Sequence, residues 1–245
     1  MAETPDRLLL ISPHYDDGIF SCGELLASHD DCVVVTVFTG VPSDPGLSTD
    51  WDRACGFRTS REAMVERQRE NEAALDRVGA VSANLGFFDS QYEQTPSVEA
   101  VAAALVRAID RYRPTCAVTP LGLFHSDHLL CADAALSAFE RVPSIGTVAY
   151  EDALYRRMPT LAQRRLATLL ARGIGATPAF VYETPGDRAP AAEADHRARW
   201  RQQKRSAVGA YTSQLKAFGS GGYDDVDAPE HYWHLRNIEA NKDEA

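Results

Sequence analysis

Apolar and polar positions alternate in blocks along the chain, and these blocks predict strands followed by helices. Continuous apolar runs predict buried strands at 8–11, 32–38, 85–88, 115–120 and 147–150, with a late strand at 180–183. Helical spacing of apolar positions separates them at 19–26, 60–78, 98–112, 129–139, 161–170 and 195–215. Strands that alternate with helices indicate βαβ units and therefore a mainly parallel sheet.

The predicted fold class is α/β, a Rossmann-like three-layer sandwich that forms a single domain over residues 1–245. In the common strand order 3-2-1-4-5, strands 1 and 4 are neighbours where the winding reverses, and ligands bind at that switch point. Two polar or glycine-rich segments, 41–59 and 218–223, are predicted to form walls over the site.

Histidine and aspartate side chains cluster directly after strands 1 and 4. His14, Asp16 and Asp17 occupy the first turn, and His125 and His128 follow the fourth strand. Taken alone, the Asp pair could simply cap the next helix, which is the usual role of such residues. The predicted topology, however, brings the two clusters face to face across the switch point.

These side chains have the chemistry of a metal site. Imidazoles and carboxylates suit Zn²⁺ or another divalent metal, and a catalytic zinc usually has three protein ligands and one open position. His14, Asp17 and His128 would supply three ligands, although His125, three residues earlier on the same helical face, could also reach the metal. With a carboxylate nearby to move protons, the arrangement fits hydrolysis of an amide.

Composition narrows the classes of partner. The formal net charge of -10 argues against nucleic acid and anionic lipid as partners. No apolar run approaches the ~20 residues that span a bilayer, and the first residues do not resemble a secretory signal, so we expect a cytoplasmic protein. Five cysteines without a CxxC pair argue against a disulfide framework and a cysteine-rich zinc site.

The two clusters also carry a family resemblance. The PHYDD run from Pro13 and the HSDH run from His125 resemble the PHPDD and HxDH motifs of the LmbE-like, or PIG-L-like, zinc N-deacetylases. The resemblance covers most of the chain. RQRE from Arg67 is similar to the family's Arg/Glu helix, and the stretch from Lys204 to Gln214 is similar to its K-x-x-A-x-x-x-Y-x-S-Q pattern.

The resemblance implies a role for each matching position. It implies that His14, Asp17 and His128 are metal ligands, that Asp16 is the general base, and that His125 lies on the oxyanion side.

Three further positions are expected to influence substrate binding. The resemblance implies that Arg67 contacts substrate, although a solvated or salt-bridged arginine is the alternative. Tyr15 stands where the family has proline, and Gly18 stands where it often has glutamate, so we expect the turn and the substrate choice to differ. Asp127 could orient a histidine or cap the following helix.

The function that the resemblance implies is removal of an N-acyl group, usually acetyl, from an amino-sugar or aminocyclitol-type small molecule, with about one zinc per chain. The SPHxDD run, the segment from Trp51 to Phe57 and the pair Glu151-Asp152 resemble an antibiotic-pathway or an uncharacterised branch of the family more than the lipid branch. Cleavage of a mycothiol-like thiol conjugate and non-catalytic sugar binding are the alternatives, and a homo-oligomer is compatible with the sequence.

A dinucleotide-binding oxidoreductase is disfavoured, because its first turn needs G-x-G-x-x-G where this chain has two carboxylates. His231 and His234 could mimic a metal pair, but packing or surface roles are expected for them.

Overall fold

The computed structural model describes residues 7–179 and 190–237, and these form a layered α/β structure. Its strands are β1 Leu8–Ser12, β2 Cys32–Thr36, β3 Val81–Asn84, β4 Cys116–Pro120, β5 Gly146–Tyr150, β6 Ile174–Ala179 and β7 Tyr232–Asn237. Its helices are α1 Asp17–Ser28, α2 Asp50–Cys55, α3 Ser60–Val78, α4 Val98–Tyr112, α5 Ser126–Arg141, α6 Leu161–Ala171, α7 Pro190–Val208 and α8 Thr212–Phe218. Within residues 7–179 and 190–237, no helix is both long and apolar enough to cross a membrane.

The sheet has the order β3-β2-β1-β4-β5-β7-β6, which confirms the predicted fold class and the predicted neighbours β1 and β4. The strands β1 to β5 run parallel, whereas β7 is antiparallel to both β5 and β6. The chain builds β2 and β3 on one side of β1, then crosses to add β4 and β5 on the other. The loops that follow β1 and β4 therefore leave the same sheet edge side by side.

Strand β1 is buried on both faces, which explains its uninterrupted apolar sequence. Leu8 and Leu10 pack with helices α1, α3 and α7 on one face, while Leu9 and Ile11 pack with α4 and α5 on the other. Because side chains alternate along a strand, the four residues fill both layers of the core. The site at the end of β1 thus stands on the most deeply buried part of the sheet.

A buried ion pair joins α1 to the last part of the chain. Helix α1 is kinked at Cys22, and the carboxylate of Glu230 accepts the backbone N–H groups of Glu24 and Leu25 just beyond the kink. Lys204 Nζ lies 2.8 Å from the same carboxylate. A Cβ on Gly23 would lie 2.6 Å from Cγ of Lys204, so only glycine lets α7 approach this closely. The pair fixes the end of α1 opposite the site.

Several predicted elements need correction at the sheet edges. The third strand is Val81–Asn84, not 85–88. The N–H groups of Leu85 and Phe87 still bond to Thr36 and Val37, but Gly86 between them takes φ +80° and interrupts the extended backbone. Strands β6 and β7 were not predicted; β6 is an edge strand that contains Pro178, which such a strand tolerates. The predicted strand at 180–183 lies outside the described residues.

Two helical predictions also need correction. The predicted helix 195–215 is two helices, α7 and α8, because the chain leaves helical geometry between Gly209 and Tyr211. The segment 41–59, predicted as a loop, contains the short helix α2, capped by Thr49 and Asp52 in a reciprocal capping box.

Candidate active site

The turn between β1 and α1 directs its carboxylates away from the helix that they could have capped. Ser12 Oγ accepts the N–H of Gly18 at 2.9 Å, and Asp16, the N-cap residue, makes no side-chain capping bond. Asp17 Oδ2 accepts the backbone N–H of His14 at 2.8 Å. The capping alternative for the Asp pair is therefore not what this turn contains.

Close packing between α1 and β1 explains why residue 18 is glycine in this turn. A Cβ at this position would lie 2.9 Å from Cδ2 of Leu10 and 3.2 Å from Oγ of Ser12. A larger residue would push the first turn of α1 away from β1 and move both aspartates with it. This turn therefore needs glycine at position 18, where the family often has glutamate, to keep the two aspartates in place.

The second cluster sits at the start of α5. His125 is the N-cap residue, and its Nδ1 accepts the backbone N–H of Asp127 at 3.2 Å. Asp127 is therefore not the cap of this helix. His128 lies one turn further along, and 1% of its side chain is exposed.

The fold brings the two clusters into direct contact, as their positions after β1 and β4 predicted. Asp17 Oδ2 lies 3.1 Å from His14 Nδ1 and 3.2 Å from His128 Nε2. The ligand atoms of His14, Asp17 and His128 all lie within 4.8 Å of one another. Two imidazole nitrogens and a carboxylate oxygen that converge in this way form a donor set suited to a divalent metal.

Each of these two histidines has a buried carboxylate on its other ring nitrogen. Asp127 Oδ2 lies 3.1 Å from His14 Nε2, and Asp152 Oδ1 lies 2.7 Å from His128 Nδ1. Metal-binding histidines usually donate their second N–H to such a partner, which fixes the tautomer and the ring orientation. Both rings are therefore held in a way that fits metal ligation.

A second donor group, formed by His14, His125 and Asp127, is geometrically close but less suitable. Its ligand atoms also lie within 4.8 Å of one another. Asp127, however, has a side chain that is 1% exposed and accepts the backbone N–H of Ser90, and His125 Nδ1 is occupied by the N–H of Asp127. His14, Asp17 and His128 instead all line the same cavity, so they are the set that fits a metal.

Strong electrostatic coupling surrounds the donor set. Burial lowers the pKa of His128, but Asp17 and Asp152 outweigh it and raise this pKa to about 9. Burial likewise opposes the charged form of His14, yet Asp89, Asp127 and Asp17 hold its pKa well above the usual range. The two imidazoles in turn lower the pKa of Asp17 well below its usual value, against the effect of burial.

Metal affinity should therefore depend steeply on pH. A protonated imidazole has no lone pair for a metal, so below pH about 9 the metal must displace the proton of His128. We expect apparent affinity to rise with pH by about tenfold per unit for each proton released, and to level off above that pKa. Calorimetric titration in buffers of different ionisation enthalpy measures the proton count. The ordinary pKa of a histidine is 6.5. An apparent metal affinity that stays constant between that pH and pH about 9 would contradict the proposal that His128 is a ligand.

Two further titratable groups border the donor set. Burial and the neighbouring charge of Asp17 raise the pKa of Asp16 to about 7. Burial and the positive charges of His14 and His128 lower the pKa of His125, so its ring is neutral at neutral pH. Because Nδ1 of that ring accepts a hydrogen bond, the proton of the neutral form is on Nε2. The site combines a carboxylate able to accept a proton with an imidazole able to donate a hydrogen bond.

A cavity of about 430 Å³ opens above these groups, and both predicted wall segments contribute to it. Trp51 of α2 and Phe218 of α8 meet with ring centroids 5.2 Å apart. Trp51 Nε1 also donates to Gln214 Oε1 at 3.1 Å, which ties α2 to α8. The opposite wall carries Tyr155, whose ring packs edge-on against His128.

The three residues expected to influence substrate binding occupy different positions. Arg67 lines the cavity but is buried; its guanidinium pairs with Asp52 at 2.9 Å, and its Nε has no hydrogen-bond partner. Tyr15 also lines the cavity, although only 4% of the residue is exposed. Asp127 is not part of the lining, and its contact with His14 favours the orienting alternative.

Sequence reasoning missed Asp152 and Asp89 as parts of the site. Asp152 holds His128, and Asp89 Oδ2 lies 3.5 Å from His14 Nε2. Asp152 is the second residue after β5, at the same sheet edge as the histidines, and that position could have identified it. His231, by contrast, lies 3.1 Å from Glu151 and is in neither candidate metal group of the described residues.

Comparison with protein families identifies the class of this chain. Residues 9–139 match the model of the PIG-L family, described as GlcNAc-PI de-N-acetylase, and the chain belongs to this family. The matched region contains every site residue predicted from the sequence, but not Asp152. The protein is thus a hydrolase of N-acyl amides.

Solved structures agree with this assignment over nearly the whole chain. The zinc-inhibited form of teicoplanin deacetylase Orf2 is 26% identical, with a TM-score of 0.73, and the match covers 94% of this chain and 98% of that one. A deacetylase–bog complex from the teicoplanin biosynthesis pathway is 25% identical, with a TM-score of 0.74 and the same coverage. The A40926 pseudoaglycone deacetylase Dbv21, 22% identical over 96% of this chain and 99% of that one, shares the fold with a TM-score of 0.73. No curated protein matches the chain.

Proposed function

We propose that this protein is a zinc-dependent N-deacetylase that removes an acetyl group from the amino sugar of a small-molecule glycoconjugate in secondary metabolism. The observation that carries the proposal is the convergence of His14, Asp17 and His128 beside the carboxylate of Asp16 and the imidazole of His125 in one cavity. The similarity to teicoplanin deacetylases over 94% of the chain supports the substrate class.

His14, Asp17 and His128 would hold the metal, which when bound supplies Lewis-acid activation of the hydrolytic water. Three protein ligands leave the remaining position open, as a catalytic site requires. The carboxylates of Asp127 and Asp152 keep the two rings in place from behind.

Asp16 is the proposed general base. Its carboxylate lines the cavity next to Asp17, and its pKa of about 7 lets it accept a proton from water and return it to the leaving amine near neutral pH. An ordinary exposed aspartate would be too weak a base for this exchange.

His125 is the proposed donor to the developing oxyanion. Its neutral ring lines the cavity with 34% of the side chain exposed, so the Nε2–H is available to a substrate carbonyl. A neutral donor stabilises the tetrahedral intermediate without bringing a second full positive charge next to the metal.

Arg67 is the proposed contact to the sugar. Its Nη2 pairs with Asp52 at 2.9 Å, but its Nη1 faces only the sulfur atom of Met64, a weak acceptor, and its Nε has no hydrogen-bond partner. A substrate hydroxyl or carbonyl would give the remaining N–H groups of this buried guanidinium the oxygen acceptor that they lack.

Amine release from a defined substrate panel tests the proposal. The purified chain would be loaded with at most one equivalent of zinc, because a similar deacetylase was solved in a zinc-inhibited form. N-acetylglucosamine glycosides, free and joined to a larger scaffold, should release amine, and a strong chelator should abolish the reaction. The same sugars bearing only O-acetyl groups are the matched control. Full activity in chelator, or no amine from any glycoside, would overturn the proposal.

The Trp51–Phe218 wall should set substrate preference without holding the metal. Neither ring belongs to the donor set, yet both line the cavity. We expect Trp51→Ala and Phe218→Ala to change the ratio of kcat/KM between small and large glycosides by about tenfold or more, with unchanged zinc content. Leu170→Ala, at an exposed position of α6 outside the cavity, is the control. Lost zinc with unchanged preference would refute this view of the wall.

A further inference from the structure

Asp152 holds two different parts of the site with its two carboxylate oxygens. Its Oδ1 lies 2.7 Å from His128 Nδ1, while its Oδ2 accepts the backbone N–H groups of Gly122 and Leu123, each at 3.0 Å. The side chain is 1% exposed. Both oxygens of the Asp152 carboxylate therefore have hydrogen-bond partners, and water does not compete for either oxygen.

The Oδ1 contact determines which nitrogen of His128 can bind a metal. A carboxylate facing Nδ1 keeps the proton on that nitrogen and leaves the lone pair of Nε2 free. Nε2 is the atom that faces Asp17, at 3.2 Å. Without the carboxylate, the neutral ring could place its proton on Nε2 and turn a ligand into a donor.

The Oδ2 contacts hold the loop between β4 and α5. Gly122 takes φ +84° there, and a Cβ on it would lie 2.8 Å from Cβ of Ala132, so the loop passes very close to α5. Leu123, whose N–H is bound by Asp152, accepts the backbone N–H of His125 with its own carbonyl at 2.7 Å. The same carboxylate is thus connected to His125 through one residue of backbone.

We propose that Asp152 is the positioning residue that sets the tautomer of His128 and places the His125 loop beside it, an inference that rests on the proposed metal site. The carboxylate touches neither the cavity nor the substrate and acts through the two histidines. A role limited to folding would require only the loop contacts, and the ring contact would then be dispensable.

The Asp152→Asn variant separates the two roles. Asparagine has the same shape but one acceptor oxygen, which can still serve Gly122 and Leu123 while the amide N–H₂ faces His128. That amide donates to Nδ1 and drives the ring proton to Nε2. We expect zinc affinity, measured by competition with a chromophoric chelator, to fall about 10–100-fold while the thermal unfolding midpoint changes little.

Glu151→Gln is the matched control. Glu151 is the adjacent carboxylate and also faces an imidazole, since its Oε2 lies 3.1 Å from His231 Nδ1. It lies outside the active-site cavity, so its variant should bind zinc like the unmodified protein.

A measurement on the unmodified chain does not depend on how the variant folds. In the zinc-loaded protein, ¹⁵N NMR should show a protected Nδ1–H on His128, assigned by its contact with the Tyr155 ring. Its absence, or wild-type affinity in Asp152→Asn while His128→Ala loses zinc, would overturn the inference and leave the proposed function standing. If His128→Ala itself keeps zinc, the proposed metal site is wrong.

Discussion

The Asp16→Asn variant is expected to keep its fold and its metal and to lose about 10²–10⁴ in kcat, which is the usual worth of a positioned acid–base group. Asparagine has nearly the same shape, and Asp16 makes no capping bond in the turn that its loss would disturb. A carboxamide cannot accept the proton of water or return it to the leaving amine. Steady-state rates of zinc-loaded protein measure the loss.

The pH profile gives an independent check on Asp16. The carboxylate is the reactive form, so activity of the unmodified protein should fall as the pH drops through a pKa that burial and Asp17 raise to about 7. That acid limb should disappear or move in Asp16→Asn. Near-normal turnover of the metal-loaded variant would refute the role of Asp16 as the base, whatever happened to the profile.

The centre of the sheet could be predicted from the sequence because of how it is buried. Strand β1 and its neighbours are covered on both faces, so Leu8 to Ile11 form an uninterrupted apolar run that stands out from its polar flanks. Once strands 1 and 4 were identified, the parallel topology itself placed His14 opposite His128. The pairing of the two clusters therefore needed no knowledge of side-chain distances.

The sheet edges could not be predicted in the same way. Strand β3 is half exposed, with Val81 56% exposed, and the more apolar residues 85–88 next to it gave the stronger pattern. Strand β6 includes Gly175 and Pro178, which are typical of turns rather than of strands. What makes these segments strands is pairing with β2 and β7, a long-range contact that local pattern does not record.

The same distinction applies within the site. His14 and Asp17 were predicted because they are three residues apart in one turn, whereas Asp152 contacts His128 across 24 residues of sequence. Its second oxygen binds backbone N–H groups, which leave no trace in the pattern of side chains. The raised pKa of Asp16 likewise depends on burial, a property of the folded chain. The reacting groups could be predicted from the sequence, but the residues that orient them and the burial that shifts their pKa values could not.

His125→Ala is expected to retain zinc and lose about 10²–10³ in kcat, with little change in KM. The loss corresponds to about 2.7–4 kcal/mol, the usual cost of removing one donor to a developing oxyanion. The donor is needed mainly in the transition state, so substrate binding should hardly change. Zinc should stay because Nδ1 of His125 is occupied by the Asp127 N–H, and His14, Asp17 and His128 form the ligand set without it.

His128→Ala is the matched comparison, three residues further along the same helix. It removes the Nε2 that faces Asp17, and it leaves the Asp152 carboxylate without its imidazole. We expect this variant to lose zinc as well as rate, measured by elemental analysis of protein dialysed against metal-free buffer. The pair therefore distinguishes the two histidines by metal content, not by rate alone. If His125→Ala emptied the site while His128→Ala kept it full, the ligand would be His125, and the second donor group, with His14 and Asp127, would be the metal centre.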